Sequence, residues 1–456
     1  MKLRIALLML LCGTGGRAVA MPQPPPIAPV VKVAMFTDDE RNAIVTYWNT
    51  PGRLRNEPPV DVAKSGLYQV RLTPDGSRWF LKYQIAIGAA KAPPTQDPTS
   101  AASGTTLTKS WRKWVDARLA ADLWLAQADA DRANAALGLT IAPNSKPQSP
   151  APGLIPADLL IACGSPPPFA NSVAPLQATV TFDDNDAYIY LDNVKLWSPS
   201  YAYYRFPQGT NNEGVMLKDI PDAELEALFT AAGFSDAERH IVKAVSKLEG
   251  GFDAINTYDT GFVSIGFIQF ITAEDGRGSL LEVLQREKAE TPDDYARDFH
   301  RYGIDVTADG TYDIIDPMTG AELTGTDAVM KTIADRRLTA VWQKAGLHST
   351  PFRVAQIKVA KSHYWPADDP ITLTVEGQVL TGKVSDVVTS EAGLTTLFDR
   401  KVNRGSVAPF PDVLAKVMAQ HRLKTLAEAR KYEREIIAGC RYRTDFLADK
   451  SLTQPR

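Results

Sequence analysis

The stretch Lys247-Leu248-Glu249-Gly250-Gly251-Phe252-Asp253-Ala254-Ile255-Asn256-Thr257-Tyr258-Asp259-Thr260-Gly261-Phe262-Val263-Ser264-Ile265-Gly266-Phe267-Ile268-Gln269-Phe270 decides how the C-terminal half folds. Just upstream, Ser235-Asp236-Ala237-Glu238 has the form of a capping box, with the Ser235 hydroxyl meeting an orphan amide and Glu238 reaching back. Ala237, Ile241, Ala244, Val245 and Leu248 then recur at helical spacing, which places Glu249 on the last turn of an amphipathic helix. Gly250-Gly251 is expected to end that helix, because glycine takes a left-handed cap without a Cβ clash. Beyond it, Tyr258, the turn Asp259-Thr260-Gly261 and the alternating Phe262-Val263-Ser264-Ile265 predict a tight β-hairpin.

A carboxylate that closes a helix and is followed at once by a small polar hairpin is a candidate acid. The helix C-terminus carries partial negative charge, which disfavours an ionised Glu249. Apolar neighbours such as Leu248, Phe252 and Phe267 add desolvation, so both effects favour the protonated form that a general acid needs. The competing reading is a solvated surface glutamate before a glycine turn.

These residues resemble the lysozyme superfamily. Phage-type lysozymes have a helix ending in a catalytic Glu, then a hairpin with an Asp and a Thr or Ser, then a Gly. The matching positions are Glu249, Asp259, Ser264 and Gly266, with the Asp displaced by about one residue. Ser264-Ile265-Gly266-Phe267-Ile268-Gln269-Phe270 also resembles the Gly-Leu-Met-Gln segment of lytic transglycosylases and goose-type lysozymes, which rely on one Glu. Phe398-Asp399-Arg400-Lys401-Val402-Asn403-Arg404-Gly405 resembles a helix end of chitosanases and some peptidoglycan hydrolases of the superfamily, where Asp and Asn face the cleft. Asp399 and Asn403 are four apart and share one helix face. The alternative is that Asp399 pairs with a nearby Arg and Asn403 caps the helix before Gly405.

The resemblance implies an α+β fold: a mostly helical lysozyme-like C-terminal domain with a small hairpin at its active site, joined to a mixed α/β N-terminal region. It implies an inverting hydrolase of β-1,4 amino-sugar bonds, with peptidoglycan as the polymer and chitosan as the runner-up. In that scheme Glu249 protonates the glycosidic oxygen, while Asp259 and Ser264 hold and activate a water. Asn256, Tyr258, Gln269, Asp399 and Asn403 are the candidate substrate-binding residues, and Asp253 and Asp275 are fallback second carboxylates. If Asp259 points away, Glu249 alone suits a lytic transglycosylase. The rival class is a non-catalytic envelope protein that keeps a degenerate lysozyme-like domain for glycan binding.

At the start of the chain, the basic Met1-Lys2-Leu3-Arg4, the apolar run Ile5 to Cys12 and Ala18-Val19-Ala20 read as a secretory signal peptide cleaved after Ala20. Loss of residues 1–20 removes Lys2, Arg4 and Arg17 and leaves 47 basic against 53 acidic residues. That balance argues against non-specific nucleic-acid binding, which needs a basic surface. No later segment has the length of apolar sequence that a membrane span needs, so a secreted or periplasmic monomer acting on a polysaccharide is expected. Cys163 and Cys440 fall in different expected domains, and no CxxC or HExxH spacing occurs, so neither a disulfide framework, a metal nor a cofactor is expected. Asp183-Asp184-Asn185-Asp186 lies between two alternating runs and reads as a hairpin turn rather than a calcium loop.

The expected domains are the signal peptide 1–20, a mixed α+β region 21–140, a Pro-rich segment with strands over 141–215 and the lysozyme-like domain 216–456. Thr37-Asp38-Asp39-Glu40 opens a helix, and Leu67–Leu72 and Trp79–Ile87 read as strands joined at Pro74-Asp75-Gly76. Ala89–Gly104 reads as a linker and Ser110–Leu137 as a helix whose Trp111 belongs to a core stripe. Residues 141–175 read as a proline-rich loop and 176–206 as two strands ending in Trp197, Tyr201, Tyr203, Tyr204 and Phe206. Farther on, Ala328–Ala345, Pro351–Tyr364 and Asp386–Val402 read as helices, with a hairpin over Ile371–Leu380.

Overall fold

A capping box opens the first helix of the computed structural model, which describes residues 34–59, 62, 66–88, 105–139, 148–192, 206–248, 250–259 and 261–456. Thr37 Oγ1 accepts from the Glu40 amide and Glu40 reaches back to the Thr37 amide at 2.8 Å. The helix that follows, Asp38–Trp48, buries Ile44 and Trp48. Its Trp48 indole donates to Tyr302 O at 3.0 Å, which ties it to the C-terminal half.

The fold is α+β, with helices around five small antiparallel sheets among the described residues. Leu54–Glu57 pairs with Gln177–Thr181, which pairs with Ala187–Leu191 around the expected Asp183–Asp186 turn. Alternation holds along the last strand: Tyr188 and Tyr190 are buried while Ile189 and Leu191 face out. A second sheet joins Gln69–Leu72 to Ala170–Val173, and a third runs through Ile304–Val306, Tyr312–Ile315 and Glu322–Thr324. Pro370–Val375 and Gln378–Lys383 form the expected hairpin around Gly377.

Three expectations are corrected. Residues 74–86 form a helix where Trp79–Ile87 read as a strand. Thr73 Oγ1 accepts the Gly76 amide at 2.9 Å and Pro74 takes the first helical position, where its missing N–H costs nothing. Pro74-Asp75-Gly76 thus opens a helix instead of turning a hairpin. The run Ala328–Ala345 is two helices, Thr326–Ala334 and Arg336–His348, split at Asp335, whose carboxylate accepts the Arg337 amide at 3.1 Å. Within the proline-rich 141–175, Ala157–Cys163 is helical and Ala170–Val173 is a strand.

The apolar core also runs across the boundary expected near residue 215. Phe36, Ile44, Trp48, Val180, Phe182 and Tyr190 share one cluster with Ile241, Val245, Ile255, Ile265, Trp342 and Phe352. A second cluster gathers Trp79, Phe80, Tyr83, Trp111, Val115 and Phe169. A third, with Ile371, Leu373, Leu397, Phe410, Leu414 and Ile437, fills the C-terminal lobe. Cys163 and Cys440 are both buried free thiols. The expected leader 1–20, the linker 89–104 and the aromatic residues Trp197, Tyr201, Tyr203 and Tyr204 lie outside the described residues. No described helix is long and apolar enough to cross a membrane.

Candidate functional site

The helix before the quoted stretch forms as its cap predicts. Ser235 and Glu238 exchange the reciprocal capping bonds, Glu238 Oε2 accepting the Ser235 amide at 2.9 Å. Asp236–Ser246 then buries Ile241, Val242 and Val245 and ends at a Lys247 cap, short of the last turn expected at Glu249; the Leu248 amide closes a tighter turn onto Val245 O at 2.8 Å. Glu249 and Thr260 lie outside the described residues. Gly251 is not left-handed, contrary to the cap expected there. Close approach demands a glycine instead: a Cβ at 251 would stand 2.5 Å from Val215 O and 2.6 Å from Asp253 Oδ1. The Gly251 amide donates to Glu213 O at 3.0 Å, so residues 213–215 lie directly on this loop.

The hairpin is the centre of a four-stranded sheet. Asn211–Asn212, Ile255–Asn256, Ser264–Ile265 and Phe270–Ile271 are neighbours in that order, with Asn256 opposite Ser264 and Ser264 opposite Ile271. Asn256 Oδ1 accepts the Tyr258 amide at 3.1 Å, and its Nδ2 donates to Asp259 Oδ2 at 2.7 Å. Asp259 Oδ1 accepts the Gly261 amide at 2.8 Å. The Asp259 carboxylate and the Ser264 hydroxyl converge on one side of Gly261. A Cβ there would lie 2.6 Å from Ser264 Oγ and 3.2 Å from Asp259 Oδ1. Ile271, more than a third exposed, borders the same spot. The structure therefore brings Asn256, Asp259 and Ser264 together, with Asp259 half-buried and Ser264 nearly closed off.

The other candidates fall elsewhere. Tyr258 is buried against the cluster of Trp79, Tyr83 and Trp111, so its ring is a packing group rather than a sugar contact. Gln269 is exposed on the turn before Phe270, with a left-handed backbone, and its side-chain amide donates to Gly266 O at 3.1 Å. Asp399 is buried under Arg443, whose Nε stands 2.8 Å from Oδ1, and Asn403 donates to Asp399 O at 3.0 Å. That is the ion-pair alternative, and it takes Asp399 out of a cleft-facing role. Asp253 is buried too, its Oδ1 accepting the Val215 amide at 2.9 Å. Asp275 is an exposed turn residue that accepts the Arg277 amide at 3.1 Å.

Two cavities adjoin the helix Arg336–His348. One of about 190 Å³ lies beside the loop that follows Glu249, lined by Val215, Glu224, Phe252, Asp253, Gly346 and Arg353. The other, of about 570 Å³, lies between the Asp183–Asp186 turn and the helices Pro292–Asp298 and Arg336–His348. The charges on its walls satisfy one another: Lys344 Nζ stands 2.5 Å from both Asp184 Oδ2 and Asp186 Oδ2, and His348 Nε2 stands 3.0 Å from Asp186. Burial pushes the Asp184 carboxyl up, but the hydrogen bond and charge of Lys344, with hydrogen bonds from the Asp186 and Asp184 amides, together hold the group below the usual carboxylate range. Sequence spacing could not show this pocket, because its walls come from three distant segments. Among the described residues no cluster of three or more His, Cys, Asp and Glu side chains could hold a metal ion. No family model, no curated protein and no solved structure matches this chain.

Proposed function

We propose that the chain is an exported glycan-cleaving enzyme of the lysozyme-like type, acting on the β-1,4 amino-sugar bonds of peptidoglycan. The observation that carries this reading is the convergence of the Asp259 carboxylate and the Ser264 hydroxyl at Gly261, on the small sheet that directly follows the Glu249 segment. In this mechanism Glu249 donates its proton to the glycosidic oxygen as the bond to the anomeric carbon breaks. Asp259 takes a proton from the attacking water and Ser264 orients that water, which is the division of labour of an inverting glycosidase. Asn256 donates to Asp259, and Gln269 is an exposed amide on the turn before Phe270 that could meet a sugar substituent.

One feature favours a second reading. Both Asp259 oxygens already accept hydrogen bonds from their own turn, from Asn256 and from the Gly261 amide. A carboxylate so engaged still has lone pairs for water, yet the same bonds are those of a purely structural turn. Were Asp259 only structural, Glu249 would act alone as a lytic transglycosylase, with a hydroxyl of the substrate replacing water. The Asp399–Arg443 pair removes the main argument for chitosan.

The test is to incubate the mature protein with purified peptidoglycan and with chitosan and to weigh the products. Hydrolysed ends are heavier than anhydro ends by one water. Cleavage of neither polymer refutes the catalytic reading and leaves the glycan-binding one.

A further inference from the structure

Gln356 is fully buried on the helix Thr350–Tyr364, where a long apolar side chain would be the ordinary choice. Its Nε2 donates to Phe252 O at 3.0 Å. Its Oε1 has no donor among the described residues and lies against Gly266, at 2.2 Å from where a Cβ would be. Gly266 therefore needs to be glycine twice over, for this approach and for its φ of +87°. A buried carbonyl oxygen without a donor costs on the order of 1–3 kcal/mol. An apolar residue of the same length would avoid that cost at Oε1.

What the amide does is join two segments. Phe252 belongs to the loop that follows Glu249, and Gly346 packs against the same carbonyl, a Cβ on it standing 2.4 Å from Phe252 O. Gly266 ends the strand that carries Ser264, and its own amide donates to Ala254 O at 2.8 Å. One side chain thus touches both the Phe252 loop and the end of the strand that carries Ser264.

We infer that Gln356 is a positioning residue of this site: its carboxamide fixes the separation between the Phe252 loop and the Ser264 strand. The inference rests on the glycan-cleaving reading. Its physical basis is that catalysis is steep in geometry, a displacement near 1 Å costing about a hundredfold in rate.

Two variants test it. Gln356→Leu keeps the bulk and removes the strut. Gln356→Glu keeps the shape and makes the donor titratable. When protonated, the Glu hydroxyl donates to Phe252 O; when ionised, it repels that carbonyl. In Gln356→Leu, amide exchange at Gly266 and Gly251 is expected to quicken about tenfold, a shift that loss of one buried hydrogen bond supplies. Amides of the remote helix Glu391–Arg404 should stay unchanged. In Gln356→Glu, burial holds the new carboxyl neutral well above its ordinary value, so kcat should stay near the wild-type value until that carboxyl ionises, followed by its 13C chemical shift, and then fall about tenfold or more, with KM little altered and circular dichroism constant. Exchange at Gly266 and Gly251 no faster than in the wild type would overturn the inference, whatever the protein cleaves. So would a Gln356→Glu rate that stays at the wild-type value across the pH at which the new carboxyl is seen to ionise in a folded protein. Quickened exchange in a protein that cleaves no glycan refutes the catalytic reading instead, and leaves the strut as a feature of the fold.

Discussion

Gly346 lies so close to Asp253 that a Cβ on it would stand 2.5 Å from Asp253 Cα and 2.4 Å from Phe252 O. Those neighbours are backbone, so they cannot swing aside as a side-chain tip would. Gly346 sits inside the helix Arg336–His348, where alanine would normally be better by about 1 kcal/mol. Overpacking a closed interior costs typically about 1–3 kcal/mol, and here the contact is with the main chain. Gly346→Ala is therefore expected to lose stability by about 1–2 kcal/mol in urea unfolding and to loosen the loop after Glu249. A gain in stability would mean that helix propensity outweighs this contact.

Glu287 provides a pH test. It is buried on the helix Ser279–Glu290, and neither carboxylate oxygen has a hydrogen-bond partner among the described residues. Burial, with Asp298 and Asp294 adding repulsion, pushes its pKa up to about 9. The folded protein therefore holds a proton that the unfolded chain releases above its ordinary value of 4.5. The contribution is fully present below that value and is lost as pH rises toward the folded pKa. At about 1.4 kcal/mol per pH unit, the loss by neutrality is on the order of 3 kcal/mol. Glu287→Gln, which has no proton to lose, should match the wild type near pH 4.5 and exceed it increasingly from pH 5 to 8. A constant difference across that range would show that Glu287 is not held neutral.

The local elements were legible wherever short-range chemistry decides them. Thr37-x-x-Glu40 and Ser235-x-x-Glu238 each wrote a helix start that formed as expected, and the Asp183–Asp186 turn closed its hairpin. Trp79–Ile87 was not legible, since its alternation of apolar residues suits a strand as well as a helix and only Thr73-Pro74 distinguishes them. Asp399 beside Asn403 looked like a cleft pair because the deciding partner, Arg443, is 44 residues away. The same limit hid Gln356 and Gly346. What they do depends on residues about a hundred positions distant that a single sequence does not bring together.

The domain boundary expected near residue 215 can be tested by truncation. Cutting the chain to residues 215–456 would strip Phe36, Ile44, Trp48, Val180, Phe182 and Tyr190 from the shared core. Each buried side chain of this kind contributes roughly 1.5–3 kcal/mol. Together they amount to on the order of 10 kcal/mol, the whole stability of an ordinary protein. The fragment is expected to be insoluble or to lack a cooperative unfolding transition. A fragment that melts cooperatively near the full chain would show that the N-terminal side chains only decorate an independent core.

The last prediction separates the two mechanisms through their mutants. Glu249→Gln keeps the shape of the side chain and removes the proton, so it should abolish cleavage with the fold intact. General acid–base assistance is worth typically ~10²–10⁴-fold, and a loss below about tenfold would remove Glu249 as the acid. Asp259→Asn then divides the readings. Its Oδ1 can still accept the Gly261 amide, which stands at 2.8 Å, so the turn should survive. The contact with Asn256 Nδ2, now 2.7 Å, becomes amide facing amide and is lost, since turning either group over would set its NH2 against the Tyr258 or the Gly261 amide. In an inverting hydrolase the rate should collapse, because the attacking water loses its base. A transglycosylase should keep most of its rate, since its nucleophile belongs to the substrate. Ser264→Ala should follow Asp259→Asn in kind but more weakly, as a hydroxyl only positions the water. An active Asp259→Asn enzyme that releases anhydro-sugars would leave Glu249 as the sole catalytic group and make the Asp259–Ser264 convergence a feature of the turn alone.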